Sequence, residues 1–121
     1  MQKIRSFTDL VAWQDAHQLA LHIYKVTDGF PKKEIFSLVD QMRRCSVSIS
    51  SNIAEGFSRQ TKKEKIQFYY TALGSLTELQ NQLLIAKDIE YISKQTFNEI
   101  AVQTVQVSKL INGLIKSLRS A

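Results

Sequence analysis

The 121-residue chain has one cysteine, one proline and four glycines, and each scarcity excludes something. A lone thiol, Cys45, makes no internal disulfide, and with only His17 and His22 beside it the donors for a Cys/His zinc site are too few. So little proline and glycine argues against an all-β fold rich in turns, while 44% apolar residues argue against disorder. The glycines stand isolated at 29, 56, 74 and 113, so there is no glycine-rich loop to cradle a phosphate. No window approaches the roughly 18 apolar residues of a membrane span. The segment MQKIRSFTDL has no signal-peptide core, which makes the cytoplasm the expected location and no membrane partner expected.

What is present is helical periodicity. A chain of this length buries roughly 65% of its unfolded surface, enough for one hydrophobic core and one domain over residues 1–121. Ser6 with Asp9 three residues on marks a helix start, and Trp13, His17, Ala20, Leu21 and Tyr24 step along one face, with Leu19 and Ile23 on another flank. Asp28-Gly29 ends that helix before Phe30-Pro31. From Leu38, at 100° per residue, Ile35, Met42, Cys45, Ile49, Ile53 and Gly56 form the core face of a second helix, which Gly56 is expected to end in a left-handed conformation. Thr61 and Glu64 form a capping box for a third helix, with Ile66, Tyr69, Leu73, Leu76, Leu83 and Leu84 on one face. Ser93 or Thr96 caps a fourth, with Phe97, Ile100, Thr104, Val107, Ile111 and Ile115 at steps of three and four. Lys116 and Arg119 in its last part suit the negative end of the helix dipole, which makes capping and solubility their expected role. Four helices near 7–27, 34–56, 62–88 and 94–119 joined by short turns predict an all-α, antiparallel up-down-up-down four-helix bundle.

Several residues are not explained by the core. Phe36, Val47 and Ala54 make a second apolar line on helix two, and Phe68 and Leu79 widen the apolar arc of helix three, so these five are expected at a contact between subunits. Gly74 in mid-helix costs about 1 kcal/mol relative to alanine. Beside Ser75 it forms a low spot where the serine-rich part of helix two is expected to cross, with Ser48 at the crossing and Asn52 and Glu55 fastening helices through buried hydrogen bonds. Arg59, Lys62, Lys63 and Lys65 cluster at the start of helix three, with Arg43 and Arg44 on helix two. With 16 Lys and Arg against 11 Asp and Glu, these cations favour a polyanionic partner. Their bland reading is a solvated helix start, yet the helix dipole disfavours cations at that end. Arg44 has Glu55 as an alternative partner, and Tyr69 and Tyr70 are expected in the core. No paired acids, metal ligands or activated nucleophile occur together, so no catalytic residue, metal or cofactor is expected.

Gln41, Arg43, Arg44, Ser48, Ile49, Asn52, Ile53, Ala54, Glu55 and Gly56, followed by Arg59, resemble the signature of the four-helix-bundle proteins encoded in bacterial 23S rRNA intervening sequences. The resemblance extends to Leu10 through Gln14, the Phe30-Pro31 step with Glu34, and Ala72, Gly74, Ser75, Glu78 and Leu79. Related chains serve as accessory proteins of diversity-generating retroelements. The resemblance implies a homopentamer with basic surface and no catalytic role. Joined to the charge reading, it makes a scaffold for structured RNA or an RNA/DNA hybrid the leading function. An adaptor that docks a larger enzyme such as a reverse transcriptase is the alternative. Ser50 stands where the family commonly has proline, so helix two is expected to run straight through it.

Overall fold

Ser6 opens the helical part of the chain through a reciprocal cap. Its Oγ accepts the Thr8 N–H at 3.2 Å, and the Asp9 carboxylate accepts the Ser6 N–H at 3.1 Å. The cap serves a short 3-10 turn, Phe7–Asp9, and Leu10 in extended conformation separates this from α1 (Val11–Thr27). The computed structural model describes residues 3–120. Among them are four α-helices and no strand: α1, α2 (Asp40–Ser58), α3 (Lys62–Asp88) and α4 (Lys94–Ser120). Each of α1 and α3 packs against both α2 and α4, around one continuous core.

The buried face of α1 is Ala12, Ala16, Leu19, Ala20, Ile23 and Thr27, whereas Leu21 and Tyr24 are about half exposed. Leu19 and Ile23, expected on a flank, are therefore the centre of the face. Three alanines and Thr27 make up the rest of it, and the small alanine side chains leave room for a neighbouring helix to approach. His17 stacks on Trp13 with ring centroids 4.7 Å apart. His22 is half-buried and its Nδ1 meets Gln103 Oε1 at 2.5 Å.

Pro31 is followed by a 3-10 turn, Lys32–Glu34, and a π-helical turn, Ile35–Val39, before α2 becomes regular. The wide turn changes the phase, so Ile35, expected on the core face, is 48% exposed, while Val39, Met42, Cys45, Ile49, Ile53 and Gly56 are buried. Glu34 anchors this connection to the α3–α4 turn. Ser37 Oγ donates to its Oε1 at 2.5 Å and Tyr91 Oη to its Oε2 at 2.7 Å. These bonds, Ser37's first, hold the Glu34 carboxyl below its usual range, and the same carboxylate pushes the Tyr91 phenol up. Helix α2 passes through Ser50 unbroken, with Ser50 Oγ donating to the Val47 carbonyl at 3.1 Å.

Gly56 does not end α2. It keeps a negative φ inside the helix, which runs on to Ser58 and stops where Arg59 turns extended. Glycine is required there for space. A Cβ would lie 2.7 Å from Tyr69 Cε1 and 3.0 Å from Phe68 Cβ, so α2 and α3 touch backbone to ring at this point. Gly74 is the reverse case: it is exposed and a Cβ would meet nothing within 4 Å, so the helix crossing expected there does not reach it. Leu79, expected at a subunit contact, is fully buried inside the chain, because its position on α3 faces the common core. Thr61 caps α3 by accepting the Glu64 N–H at 3.1 Å, and Ser93 accepts the Thr96 N–H at 3.0 Å at the start of α4. Between them Glu90, at φ 65°, takes the left-handed conformation that closes the α3–α4 turn.

Candidate nucleic-acid interface

The α2–α3 junction gathers the cations of helix three. Lys65, half-buried, donates to the Phe57 carbonyl at 2.5 Å and reaches the Gly56 carbonyl at 3.5 Å, with its ammonium 5.3 Å from the Phe57 ring centre. It thus caps the C-terminus of α2, whose last carbonyls have no partner within the helix. A cation disfavoured by the dipole of its own helix is favoured by that of its neighbour. Arg59 lays its guanidinium over the Phe68 ring at 4.4 Å and meets no carboxylate among the described residues. Lys62 and Lys63 are exposed in the first turn of α3, where the helix N-terminus adds positive potential to theirs.

Helix α4 ends beside this junction. Arg119 Nη2 donates to Tyr70 Oη at 2.6 Å, and its guanidinium is 5.4 Å from the same ring. Together with Lys116 and Asn112 they line an open hollow of about 450 Å³. Lys116 and Arg119, expected only to cap their helix and keep it soluble, therefore belong to the basic end, and one of the two tyrosines expected in the core joins them. Tyr69 is indeed 3% exposed, but Tyr70 is 46% exposed. The signal lies in the sequence: adjacent helical positions differ by 100°, so two consecutive tyrosines do not share one narrow face.

Arg43 and Arg44 are not part of this gathering. They lie roughly 24 Å from Arg59 along α2, at 1.5 Å per residue. Arg43 is occupied with α1: its Nε donates to Thr27 Oγ1 at 3.0 Å and its Nη2 to the Tyr24 carbonyl at 3.3 Å, with the Tyr24 ring 4.7 Å from its Cζ and Asp28 at 3.7 Å. It caps the C-terminus of α1. Arg44 pairs with both oxygens of Asp40, at 3.0 and 3.1 Å, and not with Glu55.

The small residues of α2 divide. Ser48 Oγ and Ser75 Oγ meet at 2.8 Å, and the Cys45 thiol donates to the Ser75 carbonyl at 2.9 Å, so α2 crosses α3 at Ser75. Asn52, expected to fasten two helices, bonds back to Ser48 in its own helix at 2.8 Å, and Glu55 is exposed. Burial, then the nearby Glu78, pushes the Cys45 thiol up to about 12, which keeps it protonated and unreactive at neutral pH. Of the residues expected at a subunit contact, Phe36 is 95% and Val47 40% exposed, Ala54 is half-buried, and Phe68 lies under Arg59. Among the described residues no three of His, Cys, Asp and Glu come together to hold a metal, and no helix is long and apolar enough to cross a membrane.

None of the curated proteins compared with the chain matches it. A solved structure does: a protein of unknown function from the S23 ribosomal protein family of Bacteroides thetaiotaomicron VPI-5482, with a TM-score of 0.81 at 23% identity, covering 88% of this chain and 96% of that one. At that identity the likeness is one of fold. The family profile described as 23S rRNA-intervening sequence protein matches residues 8–113, a span that takes in α1, α2, α3 and most of α4, and the chain belongs to that family.

Proposed function

We propose that this chain is a non-catalytic scaffold that binds structured RNA or an RNA/DNA hybrid through the end of the molecule where α2 gives way to α3. One observation carries the reading. Arg59, Lys62, Lys63, Lys116 and Arg119 come from two separate stretches of sequence to one end, and Arg59 and Arg119 lie on aromatic rings with no ion pair to a carboxylate among the described residues. Such cations suit phosphates, and contacts of this type position a nucleic acid with little sequence readout. Contacts that step in opposite directions along neighbouring helices, Ser48 to Ser75 and Gly56 to Tyr69, then Gln80 to Thr104 and Tyr70 to Arg119, support an up-down-up-down bundle. In the homopentamer that belongs to this reading, each basic end recurs in every subunit and weak contacts add. The proposed setting is the cytoplasm.

The test is fluorescence anisotropy with a labelled RNA hairpin and an RNA/DNA hybrid across a salt series, with assembly mass recorded in parallel. Affinity falling steeply with salt supports phosphate neutralisation, the slope counting contacts. No binding at low salt by an intact assembly removes the reading. A second reading, an adaptor that docks a larger enzyme, is favoured by the almost fully exposed ring of Phe36. It predicts that Phe36→Ser leaves RNA affinity unchanged and abolishes capture of the partner enzyme.

A further inference from the structure

A groove of about 490 Å³ runs between α2 and α3 on a side of the molecule away from the basic junction. Gln82 lines it, is 5% exposed, and has a side-chain Oε1 with no hydrogen-bond partner. An unmade acceptor at a buried position costs about 1–3 kcal/mol, so an amide where leucine would pack needs a reason. One turn before it on the same face of α3, Glu78 presents a carboxylate to the same groove with no cationic partner among the described residues. No donor of the chain reaches Gln82 Oε1, although the side-chain amides of Gln41 and Asn81 line the same groove. Arg44 turns its Nε to both oxygens of Asp40, the Cys45 thiol donates to the Ser75 carbonyl, and the Ser48 and Ser75 hydroxyls bond each other. What remains is a carboxylate without an ion pair and an acceptor without a donor, one helical turn apart, between the apolar side chains of Leu38 and Ile85.

We propose that this groove binds a guanidinium group on a short alkyl stem. The planar guanidinium donates in several directions at once, two N–H groups to the Glu78 carboxylate and a third to Gln82 Oε1, while the stem lies against Leu38 and Ile85. A single ammonium lacks that fork. The group is carried either by a free small molecule or by an arginine of a second copy of this chain.

Agmatine, which has the group and no carboxylate, is the probe, added to the purified protein against sodium chloride of equal ionic strength. A free ligand raises the melting midpoint by a few degrees at saturation. That rise is lost in Gln82→Leu, whose own midpoint without agmatine is higher than that of the parent protein, and the affinity falls at least tenfold in Glu78→Gln. An arginine from a second copy gives a different pattern: agmatine has no effect on the intact assembly, and Glu78→Gln lowers the assembly mass. Indifference to agmatine with unchanged mass in Glu78→Gln overturns the proposal, as does an agmatine response that survives Gln82→Leu.

Discussion

At the end where α1 leads into α2, each arginine is answered by a carboxylate: Arg43 by Asp28 as it caps α1, and Arg44 by Asp40. At the opposite end, where α2 leads into α3, Lys65 makes the same kind of cap for α2, but Arg59 and Arg119 rest on rings and keep their charge unneutralised. Both ends thus use a cation from a neighbouring helix to close a C-terminus, and they differ in what surrounds it. The comparison teaches that clustering in sequence does not separate a structural cation from an available one. Lys65 sits among the lysines of α3 and is committed to backbone carbonyls. Arg119, far along the chain at the end of α4, is at the surface beside them.

The strongest way to disturb this arrangement is steric. Gly56→Ala places a methyl 2.7 Å from the buried Tyr69 ring and 3.0 Å from Phe68 Cβ, and is expected to destabilise by about 1–3 kcal/mol in denaturant unfolding. Gly74→Ala, with open space at its Cβ, is expected to stabilise by up to about 1 kcal/mol in the same assay. Equal effects at the two glycines would contradict the close approach of α2 and α3. Charge reversal comes next. Lys63→Glu with Arg59→Glu should weaken RNA binding at least tenfold and lower the salt slope by about one contact each, while Arg44→Glu at the other end leaves both unchanged. If Arg44→Glu is as harmful, the two ends are not functionally distinct.

Smaller effects sharpen the likeness between the ends. Arg43→Ala and Lys65→Ala each remove a helix cap and should each cost about 1 kcal/mol in stability, with Lys65→Ala changing RNA affinity less than Lys63→Ala does. The smallest effect is one of pH and belongs to the charge-balanced end. Glu34 titrates below its ordinary value in the fold, so the stability it contributes is present at neutral pH and is lost as pH falls through that lowered value. Tyr91→Phe removes one of the bonds responsible, and the acid limb of a stability-against-pH curve should become shallower.

The helices are legible in the sequence because their signals are local. Thr61 and Glu64 announce α3, and Met42, Cys45, Ile49 and Ile53 repeat at steps of three and four along the buried face of α2. The face of α1 is harder to read, because Trp13, Leu21 and Tyr24 outweigh alanine on any scale of hydrophobicity, while the packed helix prefers Ala12, Ala16 and Ala20 where it comes close to its neighbours. Gly56 and Gly74 look alike in sequence, since the difference lies in whether a ring from another helix stands opposite. The same holds for the cations. Whether Arg43 or Lys65 is spoken for depends on which helix end lies alongside, and that is a property of the assembled fold.

The π-helical turn at Ile35–Val39 has a bearing on how the chain tolerates changes in length. Such a turn holds one residue more than an ordinary helical turn of the same rise, so it is where an inserted residue is stored without disturbing the regular helix beyond it. Removing one residue from this segment would let the helix close with regular spacing, and Met42, Cys45 and Ile49 would keep their places. Removing one from the middle of α2 has no such refuge, and would turn every later core side chain by about 100°.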